Sequence, residues 1–378
     1  MSLSAVSPSA PGARGLDGLR ASLRENSPLI LFVLLYGLAP IVVYGKVDIP
    51  VAPYHDILMS YVGFFAVAGV SLFAAFALWY LYNSRVRKVK NFPAVAWQRI
   101  RHDFLRRDRL MLALPVLALW PITASGFTYL KSVIPLVHPF YLDPMLAEWD
   151  RTIHFGLDPW RYLQPLLGYA PVTYLIGFGY TLWFLILQAV LVLQAGASGN
   201  RKRRLQFLLS MGLAWAVIGS LIATMMSSVG PCYFGLAYPG GIDPFADQVT
   251  YLRGVAASVA ETIRLPFTTT VLQDMLWQSY STNDFGMVRG ISAAPSMHIA
   301  STWIIARLAW DMGKAARIAG CAFLGFIFIG SIHLGWHYAI DGYMAVALAW
   351  TLWRLVGWLL DRPAVQAFLW PADADEAR

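Results

Sequence analysis

The stretch APSMHIASTWIIARLAW, residues 294–310, decides the fold expected of this chain. It is almost entirely apolar, yet a histidine, His298, stands near its start. A second stretch, SIHLGWHYAID at residues 331–341, carries another histidine, His337, between two apolar runs. Ionisable side chains in such surroundings are costly and mark functional sites by default. The two stretches therefore predict a membrane-embedded helical bundle with a polar site inside it.

The composition of the whole chain also indicates a membrane protein. Of its 378 residues, 58% are hydrophobic and 13% are charged, whereas a soluble domain is nearer to half apolar and a quarter charged. A membrane-spanning helix needs about 20 mostly apolar residues. Eight segments approach that requirement: 28–45, 57–82, 110–130, 172–195, 205–229, 297–312, 316–335 and 338–360. No alternating strand pattern is present, so we predict an all-α, polytopic bundle of about eight spans.

The positions of the basic residues predict the orientation of these spans. With the N-terminus inside the cell, the outer side holds only seven of the 29 Lys and Arg residues, namely Lys46, Lys131, Arg151, Arg161, Arg253, Arg264 and Arg289. Cytoplasmic segments of membrane proteins carry an excess of Lys and Arg. We therefore expect an integral protein of the cell inner membrane, with His298 and His337 at the outer face. The net charge of +8 follows from this bias, and no basic stripe suited to nucleic acid is present.

Three segments outside the spans have distinct characters. The basic segment 91–109 is expected to lie along the inner leaflet, where anionic lipid attracts it. The aromatic, amphipathic segment 140–168 is expected to cap the bundle at the level of the outer headgroups. The outer loop 230–294 is either a lid that shapes the substrate site or ordinary connecting structure.

The chemistry is expected where the two histidine stretches meet. In a helix, residues four apart share a face, so Asp341 can accept the Nδ1–H of His337. That bond leaves Nε2 of His337 with its lone pair, as a nucleophile. His298, across a cleft, can protonate a leaving oxygen. Two histidines and an orienting carboxylate suffice for a covalent phosphoryl transfer without a metal or another cofactor.

Two other interpretations remain open at this point. A single histidine in a span, such as His298 alone, is more often a satisfied polar contact than a catalytic group. Two histidines and an aspartate can also hold a divalent ion. We favour this metal site less, because the only further carboxylates near the outer ends of these spans are loop residues such as Asp274 and Asp284.

The same residues carry a resemblance to a known family. Pro295-Ser296-Met297-His298 resembles the second signature of the type 2 phosphatidic acid phosphatase superfamily, commonly Pro-Ser-Gly-His. His337-x-x-x-Asp341 resembles the end of the third signature. Together with the stretch from Asp143 to Trp160, they most resemble the branch that contains inositol phosphorylceramide synthase, the aureobasidin-resistance protein, and its bacterial relatives. The resemblance covers roughly residues 110–360.

The resemblance implies a role for each residue and a domain plan. His337 would be the nucleophile that forms a phosphohistidine, Asp341 would orient it, and His298 would act first as acid and then as base. The plan is a disordered cytoplasmic tail (1–26), two N-terminal spans with a basic interfacial segment (27–109), a six-span catalytic core (110–362) and a second cytoplasmic tail (363–378).

The chain departs from the family pattern where the phosphate should be held. Ser331 occupies the position of the arginine that usually lies six residues before the nucleophile. The charge that spreads over a phosphoryl group in its transition state needs positive donors. We expect Arg289 to be the first of these, ahead of Arg253, Arg264 and Lys131. The helix start at Ser296 would contribute backbone N–H groups, and Ser296 and Ser331 complete the predicted phosphate site.

These observations favour an enzyme that acts on membrane lipids as both substrate and acceptor. The resemblance implies transfer of a phospho-headgroup, possibly phosphoinositol in that branch, to a lipid or alcohol. Hydrolysis of a lipid phosphate is the alternative, since it shares the mechanism and differs only in the acceptor. A lipid-binding or lipid-flipping protein without turnover is a third interpretation, supported by the missing basic residues.

Overall fold

The computed structural model describes residues 11–44, 52–86, 88, 93–94, 97–98, 101, 106–282 and 290–371. Over these ranges the regular structure is helical throughout, without a strand, which confirms the all-α prediction. The helices before the core are α1 (Pro11–Glu25), α2 (Ser27–Gly37), α3 (Ala39–Tyr44) and α4 (Ala52–Leu81), which a π-helical turn follows at Tyr82–Val86.

The remaining helices run without a gap in the description except at residues 283–289. They are α5 (Arg107–Val137), α6 (Asp143–Ile153), α7 (Pro159–Leu167), α8 (Ala170–Ala195), α9 (Arg201–Met225, with a π-helical stretch at Ala214–Ile222), α10 (Ala246–Ile263), α11 (Thr268–Ser281), α12 (Met297–Trp310), α13 (Lys314–His333), α14 (Ala339–Leu360) and α15 (Pro363–Leu369). Two short turns, Pro231–Tyr233 and Phe234–Ala237, precede α10.

Within the described residues, six helices are long and apolar enough to cross a membrane, and they indicate an integral membrane protein. They are α4, α5, α8, α9, α13 and α14. The count of eight spans is therefore not confirmed. The two remaining predicted spans correspond to the pair α2–α3 and to α12, which are shorter.

Both short elements have a local cause. Proline lacks an N–H and its ring clashes with the carbonyl four residues earlier, so Pro40 prevents α2 from continuing and lies in the first turn of α3. The pair still runs along α5, because Asn26 donates to the carbonyl of Leu112 and Pro40 lies beside Gly126. Helix α12 has 14 residues, which is about 21 Å of helix against a hydrocarbon core of about 30 Å.

Helix α12 lies at the centre of the bundle, between α13 and α14. Ile299, Ala300 and Ile304 on α12 are completely buried. Small residues allow the close approach: a Cβ at Gly320 of α13 would meet the Cα of Ala306 at 3.0 Å, as is usual where membrane helices pack backbone to backbone. This packing brings the start of α12 and the α13–α14 turn to the same end of the bundle.

The two predicted tails contain helix. The sequence predicts a disordered tail over residues 1–26, whereas its described part from Pro11 is helix α1. Ser22 donates to the carbonyl of Met111, and the buried Glu25 pairs with Arg201. The tail predicted at 363–378 begins with α15, whose Leu369 is buried. The basic segment 91–109 lies mostly outside the described residues, and α5 begins at Arg107.

Candidate active site

The structure brings the two predicted histidines into contact. His298 is the second residue of α12, and His337 lies in the turn between α13 and α14. The Nε2 atom of His337 is 3.4 Å from the Nδ1 atom of His298, although the residues are 39 positions apart. The ring centroids are 5.5 Å apart, with the rings nearly edge to face. Two imidazoles in this arrangement can both touch one reacting group.

The hydrogen bond at Nδ1 of His337 differs from the sequence expectation. The acceptor is the carbonyl oxygen of Ala293, at 2.9 Å. The Oδ2 atom of Asp341 lies 3.5 Å from Nδ1 and accepts a bond from the N–H of Tyr338. Because a carbonyl only accepts, Nδ1 carries the proton and Nε2 keeps the lone pair. This tautomer of His337 is the expected one. The group that accepts the Nδ1–H is the Ala293 carbonyl, and the Asp341 carboxylate is a close neighbour.

The surroundings of His337 keep its imidazole uncharged. The side chain is 5% exposed. Burial, and after it the positive charge of Lys131, lower the pKa of His337 from 6.5 to about 3, against a smaller raising effect of the Ala293 carbonyl. Burial disfavours the charged form of a base. His337 is therefore neutral at neutral pH, which is the form a nitrogen nucleophile requires.

His298 is held by aromatic rings. Tyr180 of α8 stacks on its imidazole at a centroid distance of 4.9 Å, and Trp183 lies on it at 4.2 Å. The hydroxyl groups of Tyr180 and Ser331 are hydrogen-bonded at 3.1 Å. These contacts fix the plane of the His298 ring beside the His337 turn.

The two predicted phosphate-binding serines shape the backbone around the histidines. Ser296 is the N-cap of α12, where its Oγ accepts the N–H of Ile299 and its own N–H donates to the carbonyl of Asp341. The carbonyl of Ser331 accepts the N–H groups of Trp336 and His337, which closes the turn. Both serines lie at the site, and their role toward phosphate stays a prediction.

Lys131 is the one of the three described candidate cations with an electrostatic effect on the histidine pair. Its charge acts on both imidazoles. Arg253 is bound through two hydrogen bonds to Asp274, and Arg264 is exposed at the end of α10. Arg289 lies outside the described residues, although the adjacent Gly290 packs against Lys131. Lys131 is thus the described cation best placed for a phosphate.

Two carboxylates that the sequence reasoning did not assign hold this turn in place. Asp150 of α6 accepts the N–H groups of Ala339 and Ile340 at 2.7 and 2.8 Å. These are the first residues of α14, so the carboxylate caps the positive end of that helix. Burial raises the pKa of the Asp150 carboxyl, and the two backbone bonds oppose that effect.

Asp143 lies about two helical turns before Asp150 on α6. It connects a second loop to the same turn through hydrogen bonds. It accepts the N–H groups of Val229 and Gly230 and the hydroxyl groups of Tyr238 and Tyr338. Burial raises the pKa of Asp143, whereas these four donors lower it. The sequence signal that could have identified Asp143 and Asp150 is their spacing. They are seven residues apart, on one face of an amphipathic helix.

His333 is a buried histidine outside the His298–His337 pair. Nε2 of His333 is 2.8 Å from Oγ1 of Thr173, so this buried histidine has a structural partner of its own. In the part of the chain that the structure describes, no three His, Cys, Asp or Glu side chains are grouped as a metal site requires.

An apolar cavity of about 460 Å³ leads away from His298. It lies between α4, α8 and α11, and His298 and Trp336 also line it. The side chains that line it are mostly apolar: Phe64, Val67, Tyr180, Thr181, Trp183, Phe184, Leu185, Gln188, Thr269, Leu272, Leu276, His298 and Trp336. Two of the helices that line the cavity, α4 and α8, are long enough to span a membrane. This position would allow a lipid chain to enter the cavity from the bilayer.

One of the comparisons with known proteins identifies the family of the chain. The family model described as PAP2 superfamily matches residues 144–355, more than half of the chain, and the chain belongs to that superfamily. The match includes His298, His337 and Asp341. No curated protein and no solved structure matches the chain. The superfamily resemblance is confirmed, and membership is consistent with a membrane lipid phosphatase or phosphotransferase.

Proposed function

We propose that this protein moves a phospho-headgroup from one membrane lipid to a lipid or alcohol acceptor through a phosphohistidine at His337. The observation that carries the proposal is the 3.4 Å contact between His337 Nε2 and His298 Nδ1, beside an apolar cavity that His298 lines. One nitrogen is a neutral nucleophile and the other can carry a proton. Both lie where the phosphate of a lipid would arrive if its chain filled the cavity.

In the first step the lone pair of His337 Nε2 attacks phosphorus. The bond from phosphorus to the alkoxide oxygen of the donor lipid breaks, and His298 gives that oxygen a proton. A phosphoryl group does not fit between nitrogens that are 3.4 Å apart. The two imidazoles therefore have to move apart when the donor binds.

In the second step the acceptor hydroxyl attacks the phosphohistidine. His298 takes the hydroxyl proton, the P–N bond breaks, and His337 returns to its neutral form. If the acceptor is water, the same steps hydrolyse the lipid phosphate. Hydrolysis is the alternative activity, and the two outcomes differ only in whether water or an alcohol reaches phosphorus.

The charge on the transferred group needs compensation that the two histidines do not supply. Lys131, whose charge acts on both imidazoles, is the described candidate, and Arg289 remains the candidate from the sequence. The first N–H groups of α12 after Ser296 face the same region and favour an anion. Asp341 is assigned to orienting His337 together with the Ala293 carbonyl.

The donor and acceptor are proposed to be lipids at the outer face of the cell inner membrane. The Lys and Arg bias of the sequence supports that side, and the lateral cavity supports a substrate with an apolar chain. Phosphoinositol as the transferred headgroup rests on the sequence resemblance alone.

The test uses the purified full chain in lipid–detergent micelles. Phosphatidylinositol as donor and ceramide as acceptor are supplied with and without a chelator, and the phosphoinositol-ceramide product, diacylglycerol and released inositol phosphate are measured. We expect turnover that persists with the chelator and is absent in His337→Ala, whereas His298→Ala accumulates acid-labile phosphate on the protein. His333→Gln is the matched control, because it replaces a buried histidine outside the pair.

The outcomes separate the candidate functions. Inositol phosphate and diacylglycerol without phosphoinositol-ceramide indicate hydrolysis. Loss of turnover with the chelator indicates a metal enzyme. Full turnover in His337→Ala contradicts the proposal, and lipid binding without turnover in the unaltered chain indicates a binding or flipping protein.

A further inference from the structure

A second cavity, of about 630 Å³, lies at the end of the bundle opposite to the histidines. It opens between the start of α9 and the ends of α12 and α14. Four cationic side chains line it: Lys202, Arg203, Arg307 and Arg354. From Asp341 to Arg354 along α14 the distance is roughly 20 Å at 1.5 Å per residue, so this cleft, which we call the basic cleft, is separate from the histidine site.

The cations of the basic cleft outnumber its carboxylates. Asp361 pairs with Lys202 at 2.5 Å, and Asp311 pairs with Arg307 at 2.9 Å. Arg203 donates to the backbone carbonyl of Asp311. Across the described ranges, neither Arg203 nor Arg354 forms an ion pair with a carboxylate. Among the residues that line the cleft, four are cationic and two are anionic, so the lining has a net positive charge.

The four basic residues at the start of α9, 201–204, make two kinds of contact. Arg201 pairs with Glu25, and Arg204 donates to the carbonyls of Ala195 and Leu112. These two side chains fasten α9 to the N-terminal helices and to its neighbours. Lys202 and Arg203 turn to the other side and enter the cleft. Within the cleft, Lys202 contacts Asp361 after the end of α14, and Arg203 contacts the Asp311 carbonyl after the end of α12.

Tryptophan side chains form the other part of the wall. Trp350 and Trp358 on α14 are 55% and 54% exposed, and Arg307 lies 5.4 Å from the ring of Trp353. Trp358 lies near the end of α14, where an exposed indole ring is typical of the membrane–water interface, and Trp350 lies about two turns deeper in the span. The cleft therefore combines an aromatic wall facing lipid with cations facing the headgroup level.

We propose that the basic cleft binds one anionic phospholipid of the leaflet at this end, with the phosphate between Arg203 and Arg354 and the acyl chains along Trp350 and Trp358. Basic pockets between membrane helices on the cytoplasmic side suit anionic headgroups. The net positive charge of the lining favours an anion, and the exposed indoles favour one that carries apolar chains. This binding site is independent of the function proposed for the histidines.

The test is the thermal unfolding midpoint of the full chain in phosphatidylcholine–detergent micelles. Phosphatidylglycerol is added in one arm, more phosphatidylcholine in a second and inorganic phosphate in a third. We expect phosphatidylglycerol alone to raise the midpoint by several degrees, because a ligand that binds only the folded state stabilises it. Arg203→Gln/Arg354→Gln is expected to lose most of that rise.

The control is Lys314→Gln/Arg317→Gln, which removes two positive charges from the same end of the bundle but outside the cleft. It is expected to keep the full rise. Arg354→Gln alone, at an exposed position, is expected to lose part of the rise while unfolding normally in phosphatidylcholine. An equal rise in all variants, an equal loss in the control, no rise in the unaltered chain, or a rise with inorganic phosphate each contradicts the proposal.

Discussion

The turn at the histidine end and the basic cleft at the opposite end handle charge in opposite ways. At the histidine end, Asp143, Asp150 and Asp341 are almost completely buried, and their described partners are mainly backbone N–H groups and tyrosine hydroxyls. At the opposite end, Lys202 and Asp361 form an ion pair that is exposed to solvent. Buried charges are tolerated only when hydrogen bonds satisfy them, whereas exposed pairs contribute little.

The difference indicates what each end is built for. The buried carboxylates fix a turn whose position decides where Nε2 of His337 points, so small displacements there change the chemistry. The exposed cations at the other end can exchange partners and accept an anion at little cost. We therefore expect substitutions to have effects that decrease from the histidine end to the opposite end, and the following predictions test that order.

The largest effect is expected at Lys131. Lys131→Met removes the described cation whose charge acts on both imidazoles. Removing one preorganised donor to a developing negative charge costs about 10²–10³ in rate, so we expect a loss of that size in the rate of phosphoryl transfer. Arg253→Met is the control, since Arg253 is already paired with Asp274, and we expect less than a fewfold change there. Full activity in Lys131→Met would indicate that Arg289, rather than Lys131, binds the phosphate.

The next largest effect is expected at Asp150. In Asp150→Asn one oxygen becomes an amide NH₂, which cannot accept the N–H of Ala339 or Ile340. A buried donor left without its charged acceptor costs about 3 kcal/mol. We expect a loss of that size in the free energy of unfolding, together with a reduced transfer rate as the start of α14 shifts. Unchanged stability would mean that water or another acceptor replaces the carboxylate.

His337 and Asp150 show what the sequence could and could not predict. Hydropathy located the long helices, and the spacing of the two histidine stretches placed His298 and His337 at one end. The partner of Nδ1 was not predictable, because the i, i+4 rule applies within a helix, whereas α14 begins only at Ala339 and His337 precedes it. The bonds from Asp150 join positions 189 and 190 residues apart, and no local pattern encodes such contacts.

The pKa of His337 predicts a smaller, pH-dependent effect. It is lowered to about 3 in the folded state, from 6.5, so between these values the unfolded chain binds a proton that the folded chain does not. The stabilisation is present above pH 6.5 and is lost as the pH falls. From pH 7 to pH 5 we expect the unfolding free energy to fall by about 2 kcal/mol from this group.

The measurement compares the unaltered chain with His337→Gln, which lacks the titrating group. The difference between their unfolding free energies should change by that amount over this pH range. The nucleophile itself should stay neutral, so the burst of phosphohistidine at pH 5 should match that at pH 7. A burst that disappears with a midpoint near pH 6.5 would show that His337 is not shielded as the structure indicates.

The smallest effect is expected at Asp361, the exposed counterpart of Asp150. Asp361→Asn breaks the ion pair with Lys202, but both side chains are more than a third exposed, and solvent and salt screen such pairs. We expect less than about 1 kcal/mol of change in the unfolding free energy, with that small change reduced further in high salt, and no change in the transfer rate. Asp150→Asn and Asp361→Asn make the same chemical substitution, so a comparable loss in both would show that burial is not what separates the two ends.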